Sequence, residues 1–410
     1  MLIQFKFKNF KSFKDETTLN MTATRCAELP HHITTIGYEK ILKTATIYGA
    51  NSSGKSNMYE AMEYMVSYVI NSFGFNEVRK SYPFLMDKKS KTEPSTFEMF
   101  FTLDDTENTM YNYGFSVDNT GILSEWLNSK SGSSRKYSPA FYRSRKIAKP
   151  KFIKIQKEHR KNLTVSLRDE TLILSLGAKL KIPILEDIYN WFVSMEFLNS
   201  STQTMDYNTE RFVSNGFKTN PDMHINITDY LKSFDNSIVD VTCKETLYST
   251  EPNYQFGVVR KIRGLNETVE IPLTYESAGV RKMFMMYPIL NRVLTNGSTM
   301  FVDSLNTNIH PLLLRNIIIT FLNPETNPHN AQLIFTTYDI WPISIDCFRR
   351  DEIILVDKDS SGISSLFVLV EFKGSNYTKI RKDENYGKNY ISGKYGSIPE
   401  LKKMIVGNNH

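Results

Sequence analysis

This chain predicts an α/β fold with a mixed, largely parallel sheet core, a P-loop and a helical insertion. Three observations carry that expectation. A short apolar strand, Ala45-Thr46-Ile47-Tyr48, runs into a glycine loop and then into a segment of helical spacing, Asn57 to Met65. In the last third, a helix at Val280 to Leu294 is followed by a strand at Thr299 to Asp303 and a helix at Pro311 to Phe321. Strands at Gln332 to Thr337 and Glu352 to Val356 complete an order that builds a parallel sheet. Between these ends, Leu172 to Phe197 has helical periodicity interrupted by Pro183. With no sustained heptads and no repeat, the middle reads as a compact, largely helical insertion and not as a coiled-coil arm.

The N-terminal lobe opens on alternation. Ile3, Phe5 and Phe7 alternate with polar partners, and residues 19–23, 97–101 and 111–117 are further strand candidates, with a turn near Asp104-Asp105. The division this suggests is an N-terminal lobe over 1–128, a basic and mainly helical segment over 129–265, and a C-terminal lobe over 266–410. That agrees with 410 residues at roughly 150 per domain.

Composition narrows the class. With 40% hydrophobic and 23% charged residues, the chain is neither disordered nor fibrous. Cys26, Cys243 and Cys347 are too scattered for a disulfide framework or a Cys-rich zinc site, which points to a reducing compartment. The opening Met1 to Lys8 has no apolar h-region, so no signal peptide is expected, and no apolar run is long enough to span a membrane. A soluble, cytoplasmic protein is the expectation.

The net charge of +6 is unevenly placed. From Lys130 to Lys161 there are twelve Lys or Arg and one acid, Glu158. Arg135, Lys136, Arg143, Arg145 and Lys146 interleave there with Tyr137, Phe141 and Tyr142. Cations among aromatics suit DNA or RNA, with phosphates paired and bases stacked. They also suit an acidic protein partner, or a solvated surface.

Gly49-x-x-x-x-Gly54-Lys55-Ser56 is a full Walker A pattern. Its glycines let the backbone curl so that N–H groups, with Asn51 and Ser53 among them, face a phosphate. The helix that starts near Ser56 and Asn57 adds its positive end. Lys55 can reach the terminal phosphates and the Ser56 hydroxyl can ligate Mg²⁺. Such a loop needs an acid at the end of a second strand for the Mg²⁺ shell, and Asp303 supplies it. Glu276-Ser277-Ala278-Gly279-Val280-Arg281 opens a later helix and is a second anion-site candidate, or a plain helix cap.

Taken in order, these motifs resemble the ABC-type ATPases related to SMC and RecF heads, and in particular the short RloA-like abortive-infection ATP-binding proteins. Asn9-Phe10-Lys11-Ser12-Phe13 resembles the family's opening, whose basic residue, here Lys11, lies near the nucleotide phosphates. Gly49 to Ser56 is its Walker A, and Glu276 to Arg281 resembles its signature loop. Asp303 to Pro311 resembles Walker B and D-loop, Phe335 to Asp339 the switch segment, and Tyr390 to Pro399 the C-terminal ending. The resemblance implies an ABC-ATPase head binding ATP and Mg²⁺. It implies a homodimer or larger oligomer in which Lys55, Ser56 and Asp303 of one chain face Ser277 and Gly279 of another. An effector protein as partner, in a bacterial anti-phage system, is the role it implies.

Three departures bear on the chemistry. Ser304 stands where the family has the Glu that polarises the attacking water, Asn306 where it has an Asp, and Tyr338 where it has the switch His. A serine hydroxyl is a poor base at neutral pH, so hydrolysis is expected to be weak or lost unless a neighbouring acid such as Asp339 or Glu276 substitutes. Asp303, Ser304 and Tyr338 are thus the catalytic candidates. The rivals to a clamped regulator are a DNA-dependent ATPase of repair or restriction and a non-enzymatic scaffold for an effector. Asp357-Lys358-Asp359 also allows a metal-dependent nuclease but reads as a turn. His31-His32 reads as a loop pair, and Trp126, Trp191 and Trp341 as core or interface.

Overall fold

The computed structural model describes residues 1–75, 77–103, 108–132, 134, 136–199, 216–217, 221–246, 253–343, 347–372, 380–381 and 384–398. The first layer is written by alternation. In β1 (Leu2–Lys8), Phe5 and Phe7 are buried and Lys6 and Lys8 are not. It pairs with β2 (Thr17–Asn20) on one side and β6 (Ser95–Thr102) on the other. β7 (Met110–Asp118), β8 (Gly121–Lys130), β9 (Ser138–Ser144) and β10 (Lys151–Phe152) extend it to seven antiparallel strands. A small hairpin of β3 (Ile33–Ile36) and β4 (Glu39–Leu42) turns at Gly37, which has φ +57°.

The second sheet has the order β11 (Glu196–Asn199), β15 (Thr299–Asp303), β16 (Gln332–Thr336), β5 (Thr44–Tyr48), β17 (Ile353–Lys358), β18 (Ser364–Val368). Every neighbouring pair is parallel except β17–β18. All residues of β5, β15 and β16 are buried, as in parallel strands covered on both faces. Their side chains alternate between two hydrophobic cores. Phe301 and Ile334 join one; Met300, Val302, Leu333 and Phe335 join the other.

α1 (Lys55–Asn71) lies between the two sheets and is apolar nearly all round. Its Tyr64 and Tyr68 rings lie 5.2 Å from Phe97 and 5.1 Å from Phe115 of the antiparallel sheet, and its Tyr59 ring lies 5.3 Å from Phe301. α3 (Ile173–Lys179) and α4 (Pro183–Val193) share that core, while α2 (Lys157–Val165) is mostly exposed. The opposite face is covered by α5 (Pro221–Lys232), α6 (Ala278–Asn296), α7 (Pro311–Leu322) and a sheet of β12 (Ile238–Thr246), β13 (Asn253–Lys261) and β14 (Thr268–Pro272). A short α8 (Tyr386–Ile391) sets Tyr390 against Tyr48, ring centroids 5.9 Å apart.

Several expectations change. The 129–265 segment carries α2 to α5, but it also gives β9 and β10 to the N-terminal sheet and contains β12 and β13. Lys151 on β10 is consistent with edge-strand protection, and a strand of two residues carries no period to read in the sequence. Pro183 starts α4 instead of interrupting a longer helix, as its missing N–H and fixed φ favour. Asp357 lies within β17, opposite Ser365, and the turn follows it. The expected turn at Asp104-Asp105 lies outside the described residues.

Candidate functional site

Parallel register brings the carboxyl ends of β5, β15 and β16 to one edge, because Val302 pairs with Phe335 and Thr336 pairs with Ile47. That edge is where ligands bind in open α/β sheets. β5 leaves it as the loop Gly49–Gly54, which enters α1. A Cβ on Gly49 would strike the Val356 carbonyl and the Ser53 hydroxyl. Gly54, at φ +121°, has Ser364 Oγ 2.5 Å from where a Cβ would stand. Both positions therefore require glycine. Gly54 is also the N-cap of α1, and no side chain caps the helix there.

Lys55 is buried, and its Nζ donates to the carbonyls of Gly49, at 2.7 Å, and Ala50, at 2.9 Å. The Tyr338 ring lies over it, 4.0 Å from Nζ to centroid, a cation–π contact. Burial pushes the Lys55 ammonium down to about 8, with Asp303 pulling the other way. The half-exposed Tyr338 hydroxyl is pushed up, by burial first and by Asp303 second.

Asp303 closes the centre. Its Oδ2 accepts from Ser56 Oγ at 2.8 Å and its Oδ1 from Thr336 Oγ1 at 2.6 Å. Thr336 Oγ1 in turn accepts from the Ser304 amide at 2.7 Å. Ser304 has φ +58°, uncommon for a residue with a side chain. The Tyr338 amide donates to Asn306 Oδ1 at 3.4 Å, so Ser304, Asn306 and Tyr338 share one hydrogen-bonded loop system.

These residues fit a nucleotide phosphate and a hard divalent cation. Ser53 Oγ is buried and without a hydrogen-bond partner among the described residues. The glycine cradle admits no Cβ, and the first amides of α1 have no side-chain cap. Ser56 and Asp303 form the oxygen pair that Mg²⁺ takes beside water and phosphate.

The chain matches, over residues 45–337, the family described as "AAA domain, putative AbiEii toxin, Type IV TA system". The chain belongs to that family. No curated protein gives a significant match. Among solved structures it is similar to CbiO1 from Clostridium perfringens, part of the ABC transporter complex CbiONQ, at 11% identity and a TM-score of 0.33. That match covers 90% of this chain and 88% of the other. The matched AAA-domain residues run from β5 to the residue before Tyr338, so they include Walker A, Ser277 and Asp303. The fold is that of a P-loop α/β ATPase.

In this AAA domain Ser277 is the N-cap of α6 and accepts from the Val280 amide at 3.3 Å. A Cβ on Gly279 would stand 3.2 Å from the Asn308 carbonyl. Ser277 and Gly279 thus flank the loop that follows Asp303, whereas Lys55 and Ser56 meet Asp303 and Tyr338 directly. Lys11 pairs with Glu60 of α1 and lies 5.8 Å from the Tyr82 ring centroid. Asn57 Nδ2 donates to Ser12 Oγ at 2.7 Å. The Ser364 hydroxyl lies 2.7 Å from Ser12 Oγ and 2.5 Å from the Ser53 carbonyl, buttressing the loop.

Of the two acids offered as substitutes, Glu276 is bound bidentately by Arg260, at 2.7 and 2.8 Å, and Asp339 Oδ1 accepts from the Trp341 amide at 2.9 Å. Ser364, Glu60 and Arg260 were not legible as site residues, and Thr336 was so only as part of the switch segment Phe335 to Asp339. Only Thr336 carried a signal, a polar residue ending a buried apolar strand.

The basic segment divides. Arg143 is buried, with Nε 3.0 Å from Glu125 and Nη2 donating to the Thr171 carbonyl at 2.7 Å, so it is not a surface cation. At this end of β9 the burial alternates, with Phe141 and Arg143 buried and Tyr142 exposed between them, so Arg143 falls on the core face. Arg145 is exposed, donates to the Thr120 carbonyl and hydroxyl at 2.5 Å each, and lies 3.8 Å from Asp169. Lys136 and Lys146 are exposed, and Arg135 lies outside the described residues. Among the described residues no helix is long and apolar enough to cross a membrane.

Proposed function

We propose that this chain binds ATP with Mg²⁺ at the Gly49–Ser56 loop and serves as a nucleotide-controlled subunit of a bacterial anti-phage or toxin–antitoxin system. In this reading it self-associates on ATP and governs an effector, with hydrolysis slow or lost. One observation carries it: Lys55, Ser56 and Asp303 converge, with Ser304 and Tyr338, neither a carboxylate nor an imidazole, beside them.

Lys55 and the loop amides would hold the phosphates; Ser56 and Asp303 would hold the cation. Mg²⁺, when bound, neutralises phosphate charge and orients the terminal phosphate. The chain's own groups do the rest. Asp303, fixed by Ser56 and Thr336, cannot turn away from the cation position. Tyr338 covers Lys55 with an aromatic face and brings no imidazole to the phosphate. Ser304 presents a hydroxyl held at the end of a strand, a poor proton acceptor at neutral pH. The family description and the motif order support the defence role, and the Ser277 helix start supports a cap donated to a second copy.

The test is light scattering of the purified chain with ATP and Mg²⁺, ADP and Mg²⁺, or no nucleotide. A mass that doubles with ATP alone, and does not double in Lys55→Ala, is the expected result. A mass indifferent to nucleotide contradicts the self-associating regulator and favours a monomeric scaffold.

A further inference from the structure

Lys282 is a buried lysine that the phosphate chemistry leaves unused. It lies on α6, five residues after Ser277, and its Nζ donates to the carbonyls of Leu305 and Thr307, each at 2.7 Å. Both acceptors belong to the loop that leaves Asp303. A buried ammonium held by backbone carbonyls costs desolvation that a methionine of similar length would not incur. Burial alone pushes the Lys282 ammonium down to about 7.

Elsewhere the loop is hydrogen-bonded to the phosphate centre, and its Leu305 side chain is buried in the second core. The Leu305 amide donates to the Thr336 carbonyl at 3.0 Å, and the Ser304 amide to Thr336 Oγ1, which holds Asp303. Asn306 Oδ1 accepts from the Tyr338 amide, whose ring covers Lys55. At the far end Asn308, at φ +59°, places its carbonyl against Gly279. Residues 304–308 therefore touch Asp303, Tyr338 and the start of α6.

We propose that Lys282 is a positioning residue that ties the Ser277 tip of α6 to the loop leaving Asp303, so that ATP at Lys55 and Ser56 is registered at Ser277. The proposal rests on the reading of the Gly49–Ser56 loop as an ATP site. Ser304 and Asn308 both hold left-handed backbone conformations, so the loop has a defined shape that the two carbonyl contacts preserve. Tyr338 is linked to Lys282 through two hydrogen-bonded steps, by way of residues 305–307, and Asp303 through three, by way of Thr336 and Leu305.

The experiment is amide hydrogen exchange on the full chain with and without ATP and Mg²⁺, following residues 277–282 and 304–308, beside an ATP titration. Wild type is expected to bind ATP and to gain protection in both segments. Lys282→Met is expected to bind ATP within about twofold of wild type yet to lose the protection at 277–282, since methionine has no donor for the Leu305 and Thr307 carbonyls. Lys282→Arg restores it. Should Lys282→Met not fold, Lys282→Leu, which likewise removes the donor, carries the same comparison. ATP-induced protection at 277–282 that survives in Lys282→Met overturns the proposal, as does a parallel loss of ATP affinity. Wild type that binds ATP without protection at 277–282 overturns this proposal alone. Wild type that binds no ATP overturns the ATP-site reading and this inference with it.

Discussion

The ammonium of Lys55 is held by two loop carbonyls and the face of Tyr338, and burial brings its pKa to about 8. A lysine depressed below its unfolded value loses its proton earlier in the folded chain. Above pH 8 the free protein is therefore increasingly neutral at Lys55, and binding a phosphate anion takes up a proton. ATP affinity is expected to fall by up to about tenfold per pH unit above 8, and to stay flat below about 7. Titrations across that range check it, and Lys55→Arg, which stays charged, should remove the slope. At Ser304 the missing group is a carboxylate. Ser304→Glu should raise turnover by about 10²-fold, the low end of what a placed base contributes. Unchanged turnover in a folded Ser304→Glu protein would mean that water activation is not what limits this site. Walker A, Asp303 and the Ser277 cap were legible because each is a residue type that phosphate or helix ends demand. Lys282, Arg260 and Ser364 were not, because their partners are backbone carbonyls or residues more than ten positions away.

At the scale of elements, β9 shows how a charge run misleads. The sequence places Arg143 in a cationic stripe, but the pleat of β9 turns it inward to Glu125, which also accepts from the amides of Ile173 and Leu174 at the start of α3. Burial pushes the Glu125 carboxyl up, and Arg143 opposes that rise. Removing Arg143 leaves the acid buried without its cation. Arg143→Met should cost about 3–5 kcal/mol in urea unfolding and leave nucleic-acid affinity unchanged. A folded Arg143→Met protein with weaker nucleic-acid binding would contradict that placement. The parallel strands were legible from uninterrupted apolar runs such as Thr299 to Asp303. β9, β10 and β12 were not, since serines, charged residues and threonines in them blur the two-residue period.

At the scale of the whole molecule, β5, β15 and β16 converge on one edge, and α6 and α7 close over the face that carries Ser277. In the proposed reading Lys55, Ser56 and Asp303 support binding, whereas Ser304, Asn306 and Tyr338 take the places of the groups that would use water. Held nucleotide that is not consumed is the central claim. ATP affinity and steady-state turnover on the same preparation test it most directly, with Lys55→Ala as the blank and with DNA present or absent. Lys55→Ala should weaken binding by at least about tenfold, since a charged hydrogen bond contributes about 1.5–3 kcal/mol, and wild-type turnover should be no higher than that blank. Turnover well above the blank, and stimulated by DNA, would contradict it.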